Sequence, residues 1–206
     1  MGRENQKQRT RTALIDAAGQ IARDGRSFSV AEVAEAAMVS TATAYRYFPN
    51  PESLWVEVAI RQSEYLDVPA ILRDGGDSAA DRIDALIAAG ADMQFRNEAL
   101  WRALLRATLE RWAVQHQADA SDPVPIRGDN RLAITEQALQ PLAATLPPAL
   151  LRRLTMALML VYGIEATVTI RDACQLEPDE GKEVMRWAAQ ALIRTALAET
   201  AAESQK

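Results

Sequence analysis

The stretch FSVAEVAEAAMVSTATAYRYFPNPESL, from Phe28 to Leu54, constrains this fold more than any other because it encodes two short helices joined by a tight break. Ser29 followed three residues later by Glu32 is a capping box, in which hydroxyl and carboxylate satisfy N–H groups that a helix start leaves orphaned. Val30, Val33, Ala34 and Ala37 recur at helical spacing and give the first helix one apolar face. Met38-Val39 interrupts. Ser40 can cap a second helix from Thr41 to Phe48, whose small Thr and Ala residues let its backbone sit close to DNA. Pro49-Asn50-Pro51 ends it. Helix, turn and a second helix bearing Tyr and Arg is the arrangement of a DNA reader.

Around this segment lie a basic N-terminal arm, an amphipathic helix ending at Gly25, and PESL opening a longer helix. Together with SVAEVAEAA and VSTATAYRYF, they resemble the TetR (tetracycline-repressor-like) family of transcriptional regulators over roughly residues 8 to 60. The rest of the chain is similar to the family only in length and helical pattern. The resemblance implies an all-α homodimer, with a three-helix helix-turn-helix domain at residues 1–50 and a helical effector-binding and dimerisation bundle at 51–206. Two positions depart from the family pattern. Met38 stands where Gly is usual in the turn, so the turn is expected not to need a left-handed residue there, since Met would be strained. Pro51 stands where Lys is frequent, which removes a phosphate contact but suits the first turn of a helix.

Specific recognition needs hydrogen-bonding groups at base edges and positive or hydroxyl groups at phosphates. Thr41, Thr43 and Tyr45 are the best candidates for the first task, and the family resemblance implies that these positions face the major groove. Tyr45 and Tyr47 carry hydroxyls suited to phosphates, and Arg46 supplies charge. For Tyr45 the competing reading is partial core packing, which Phe48 fits better. Ser29 and Ser40 read first as caps, and a capped helix N-terminus is also a phosphate site. In the arm, Arg3, Lys7, Arg9 and Arg11 face only Glu4, so Arg9 and Arg11 join the candidate DNA contacts. A solubilising tail is the plainer reading for residues 1–7. The whole chain carries −5, partitioned as +1 over residues 1–61 and −6 over the remainder.

Composition narrows the class. At 206 residues and 49% hydrophobic, with nine Gly and nine Pro, the chain suits packed helices in one or two domains. One Cys and one His leave little room for metal clusters or Cys/His nucleophilic pairs, and no phosphate-cradling glycine loop is present, so neither enzymatic activity nor a cofactor is expected. Cys174 reads as a buried small hydrophobe. No apolar leader precedes the arm, and a cytoplasmic location is expected.

Further helices are predicted at Thr10–Asp24, Glu52 to about Leu72, Ser78–Phe95, Glu98 to about Gln117, Asn130–Thr145, Pro148–Cys174 and Pro178–Ala202. Breaks fall at Asp74–Asp77 and in a polar loop from Asp119 to Gly128. The run from Leu154 to Ile170 holds one charge, Glu165, but is too short and polar to span a bilayer, and reads as a helix buried on several sides. With the last helix it is the expected dimer interface, through Leu158, Val161, Val184, Trp187, Ala188, Ala191 and Leu192 in a four-helix bundle.

An effector site is argued from an aromatic stripe, Trp101, Leu105, Thr108 and Trp112, preceded by Phe95 and completed by Met93, Met159 and Tyr162. Such a stripe is more often core than pocket. Glu165 or His116 would be its polar anchor, and Glu165 needs a partner: a cationic ligand or an Arg across the dimer. The reading is a ligand-responsive repressor binding a palindromic double-stranded DNA operator, released by an apolar or aromatic small molecule. The alternative is a helical small-molecule-binding or interaction protein without specific DNA binding, motivated by Met38, Pro51 and the acidic total.

Overall fold

A computed structural model describes residues 2–63, 66–117 and 130–203, and among these every regular element is helical. The all-α expectation holds. The polar loop expected at Asp119–Gly128 and the side chain of His116 lie outside the described residues.

The chain forms two compact units, one from residues 1–65 and 97–126, the other from 66–96 and 127–206. This division differs from a cut at residue 50. In the first unit α1 (Gly2–Arg23), α2 (Val30–Ala36), α3 (Thr41–Tyr47) and α4 (Pro51–Ser63) pack with α7 (Glu98–Gln117). Leu14, Ala18, Val33, Ala44, Leu54 and Leu100 are fully enclosed there, so α4 and α7 finish the core that α1 to α3 begin. Phe28 stacks on Trp55 with ring centroids 4.2 Å apart.

The second unit packs α5 (Val68–Asp74), α6 (Ala79–Arg96), α8 (Asn130–Leu139), α9 (Pro148–Val161), α10 (Ile164–Val168) and α11 (Pro178–Glu203) around Ile83, Leu139, Leu158 and Ile193. Arg186 on α11 grips Asp84 on α6 through two bonds, 2.8 and 2.7 Å, and Lys182 donates to Asp92 at 2.8 Å. Both cations are held more basic than usual, chiefly by those carboxylate hydrogen bonds.

Three predicted helices are interrupted. The one expected from Glu52 to Leu72 ends at Ser63, and a new helix starts at Val68. Asp67 caps it by accepting the Ala70 N–H at 3.0 Å, and Pro69, which cannot donate to a preceding turn, sits in its first turn. The helix expected through Thr145 becomes a 3₁₀ turn at Gln140–Leu142, where Pro141 removes a donor. The helix expected from Pro148 to Cys174 breaks at Tyr162-Gly163, bends by 42°, and finishes as a π turn over Thr169–Ala173. No single helix is long and apolar enough to cross a membrane among the described residues, and Leu154, Leu158, Tyr162 and Ile170 of the bent pair are buried in the unit's own core. Cys174, expected to be buried, is exposed, because it ends the π turn just before Gln175 adopts a φ of +57°.

Candidate nucleic-acid interface

The helix-turn-helix is built by caps. Ser29 Oγ accepts the Glu32 N–H at 3.2 Å, and Glu32 Oε2 in turn accepts from the Ser29 N–H and hydroxyl, both at 2.8 Å. Those two bonds, backbone first, together with the nearby Arg26 charge, hold the Glu32 carboxyl below its ordinary range. At the other end of α2, Met38 N–H bonds Glu35 O at 3.0 Å and Val39 N–H bonds Ala34 O at 2.9 Å. This pair of bonds is the Schellman closure, and it requires a left-handed residue at its centre. That residue is Met38, at φ +54°, so the expectation that the turn would avoid the left-handed region is corrected. The position tolerates a side chain because Met38 points into solvent, 94% exposed.

Ser40 begins α3, accepting the Thr43 N–H at 3.3 Å and donating to Thr43 Oγ1 at 2.9 Å. Thr43 is thus drawn into the cap while its own hydroxyl proton stays available for a further acceptor. Ala44 and Phe48 are buried in the core, and Tyr47 packs against it half-buried. Thr41, Ala42, Tyr45 and Arg46 are left on the outward face. Of the residues assigned to DNA from sequence, Thr41, Tyr45, Arg46 and Arg9 are therefore exposed, Thr43 and Tyr47 are half-buried, and Ser29 and Ser40 are caps.

Arg11 behaves differently. Its guanidinium meets Glu57 of α4 at 2.5 Å and lies 5.7 Å from the centre of the Phe48 ring. Arg61 of α4 pairs with Asp16 of α1 at 3.2 Å. Asn50, read in the sequence only as part of a stop, accepts the Ser53 N–H at 2.9 Å and so caps α4 with Pro51 in the first turn. The Asn-Pro-x-Ser spacing carried that signal.

The effector candidates do not gather within one unit. Trp101 packs on the first unit's core, Leu105 and Thr108 are half-buried beside it, and Trp112 is half-exposed. Met93, Phe95, Met159, Tyr162 and Glu165 belong to the second unit, where Met93 and Tyr162 are buried. Glu165 finds its partner within the chain, pairing with Arg131 of α8 at 3.0 Å. The same guanidinium nitrogen donates to Tyr162 O at 3.0 Å. Tyr162 shares a hydrogen bond with Thr135, and Thr135 also approaches the Met159 sulfur at 3.6 Å. Burial pushes the Tyr162 phenol upward, opposed by Thr135 and Arg131.

At the expected dimer face, Leu158 is fully enclosed in its own core, and Val161 and Leu192 pack partly against it. The outward apolar residues of α9 are instead Met156 and Leu160, two positions before and two after the inward Leu158. On α11, Val184 and Trp187 are exposed while Ala188 and Ala191 are half-buried.

Residues 14–58 match the family model described as bacterial regulatory proteins, tetR family. The resemblance read from the sequence is borne out. A TetR transcriptional regulator from Rhodococcus sp. RHA1 is similar in structure, at 23% identity and a TM-score of 0.57, covering 91% of this chain and 97% of that one. A tetR-family transcriptional regulator from Streptomyces coelicolor is similar at 19% identity and a TM-score of 0.61, covering 95% and 86%. A third, whose structure addresses control of antibiotic production by bacterial hormones, aligns at 24% identity and 0.57 over 87% and 97%. No curated protein matches the chain in sequence.

Proposed function

We propose, from the tetR-family N-terminal domain at residues 14–58, that this chain is a ligand-responsive transcriptional repressor that binds a palindromic operator as a homodimer. One observation carries the reading. The short helix α3 is anchored inward by Ala44 and Phe48 and presents Thr41, Ala42, Tyr45 and Arg46 outward, a surface of hydroxyls, one cation and a small residue suited to close approach. Neither departure from the family pattern disturbs that surface, because Met38 completes the turn and Pro51 opens α4.

In a dimer, two copies of α3 would enter successive major grooves roughly 34–36 Å apart. Exposed Leu160, Val184 and Trp187 support α9 and α11 as the dimer surface. An apolar or aromatic small molecule bound in the second unit would release the DNA by favouring a different spacing, the coupling being its difference in affinity for the two states.

The test is selection of bound sequences from random duplex DNA by the purified protein, followed by a salt titration of the recovered duplex. A palindrome whose affinity falls steeply with salt supports the reading. A folded dimer that enriches nothing, even at low salt, sinks it in favour of a helical ligand-binding protein.

A further inference from the structure

Arg11 was grouped with the DNA contacts on charge alone, yet its surroundings give it a different task. The guanidinium is committed on two sides, to the Glu57 carboxylate of α4 at 2.5 Å and to the ring of Phe48 at 5.7 Å. Glu57 is 24% exposed and Phe48 3%, while the Arg11 side chain keeps 38% of its surface in solvent, so the guanidinium lies at the rim of the core with one side turned inward. Phe48 is the residue at which α3 stops: its N–H closes the last turn onto Ala44 O at 2.9 Å and its backbone then turns extended. A planar, always charged group can satisfy a carboxylate edge-on while covering an aromatic ring, which a Lys would not reproduce.

We propose that Arg11 is a positioning residue that holds the C-terminal end of α3 against α4, fixing the angle at which α3 is presented, and that it does not contact phosphate. Its charge is cancelled by Glu57, so it adds little to the field that attracts DNA. The consequence for binding rests on the function proposed above, whereas the consequence for α3 does not.

Arg11→Met and Glu57→Gln separate the possibilities in two measurements. In the DNA-free protein, hydrogen exchange at the Ala44 and Phe48 amides is expected to speed up about threefold in both variants, the scale of a partly exposed ion pair. Exchange in α6 and α11 stays unchanged. Wild-type exchange at those α3 amides in both variants overturns the proposal. On a duplex selected by the wild-type protein, both variants are expected to bind about threefold more weakly with the slope of log affinity against log salt unaltered. A phosphate contact has the opposite signature: Arg11→Met would lower the slope by about one, and Glu57→Gln would tighten binding. Either result overturns the assignment. If the wild-type protein selects no duplex, the proposed function fails, and the exchange measurement alone decides the role of Arg11.

Discussion

The guanidinium of Arg131 occupies the space into which a side chain at Gly163 would project, with Nη1 where a Cβ would stand. Gly163 also holds φ +107° and ψ −179°, a backbone region essentially closed to other residues. The break between α9 and α10 thus rests on a glycine and an arginine that exclude any third group. Gly163→Ala is expected to lower stability by about 2–3 kcal/mol, from backbone strain and displacement of Arg131. Adding Arg131→Ala should relieve the steric part but leave the φ strain, and it also removes the Arg131 bonds to Glu165 and to Tyr162 O. Urea denaturation of both single variants and the double variant measures the steric part as their non-additivity.

Met38 is the converse case, a side chain placed where glycine is preferred. Its left-handed φ costs about 1–2 kcal/mol, and its exposed side chain contributes no packing in return. Met38→Gly is expected to stabilise the protein by about 0.5–1 kcal/mol after the entropy of the freer unfolded chain is subtracted. Met38→Val should destabilise it, since a β-branched residue fits the region still less well. Thermal melts of the three proteins would show the order Gly, Met, Val.

Acid should weaken the cap of α2. The Glu32 carboxyl is held below its ordinary value of 4.5 by the Ser29 bonds, so it favours folding above that value and the contribution disappears as pH falls through the lower folded value. Glu32→Gln lacks this titration. The gap in urea midpoint between wild type and Glu32→Gln is expected to narrow below pH 4.5; a gap constant across that range would show that the capping box does not depend on the charge.

On a selected duplex, Arg46→Ala is expected to weaken binding uniformly across sequences and reduce the salt slope by about one. Thr41→Ala and Tyr45→Phe should change the preferred sequence or cost about 1–3 kcal/mol, with the slope retained where the contact is to a base. Unchanged affinity in all three would remove α3 as the reading helix.

Leu160→Asp and Trp187→Asp place charges on exposed apolar positions that contribute little to the core of their own unit. Sedimentation should show dimers for wild type and monomers for both variants at micromolar concentration, with helical content retained. Persistence of dimers would move the interface elsewhere.

The helix-turn-helix was legible because its determinants are local: Ser29 and Glu32, Ser40, and the apolar spacing of Val30, Val33 and Ala34 all act within one or two turns. Local statistics misread Met38, since a turn's hydrogen-bond closure outweighed the residue's own preference. Asp67 and Pro69 carried a start signal that the surrounding apolar pattern masked. At the Tyr162-Gly163 break the Tyr162 carbonyl is bound by Arg131, some thirty residues away in sequence, and the pairing of Arg11 with Glu57 spans a still longer gap. Such long-range partners leave no periodic trace. For the same reason the stripe from Trp101 to Trp112 left core and pocket both open in the sequence, and its first member packs against the core of the unit that holds α3.

That unit is assembled from two separate stretches of chain, and this imposes a schedule on its birth. Leu100, Ala103 and Leu104 complete a core whose other members end at Val58. At about 5–20 residues per second, a ribosome needs several seconds more to deliver them after the first stretch has emerged. During that interval Leu14, Val33 and Leu54 wait with an unfinished cover, and a nascent chain arrested shortly after α4 would expose an oily half-core rather than a finished reader.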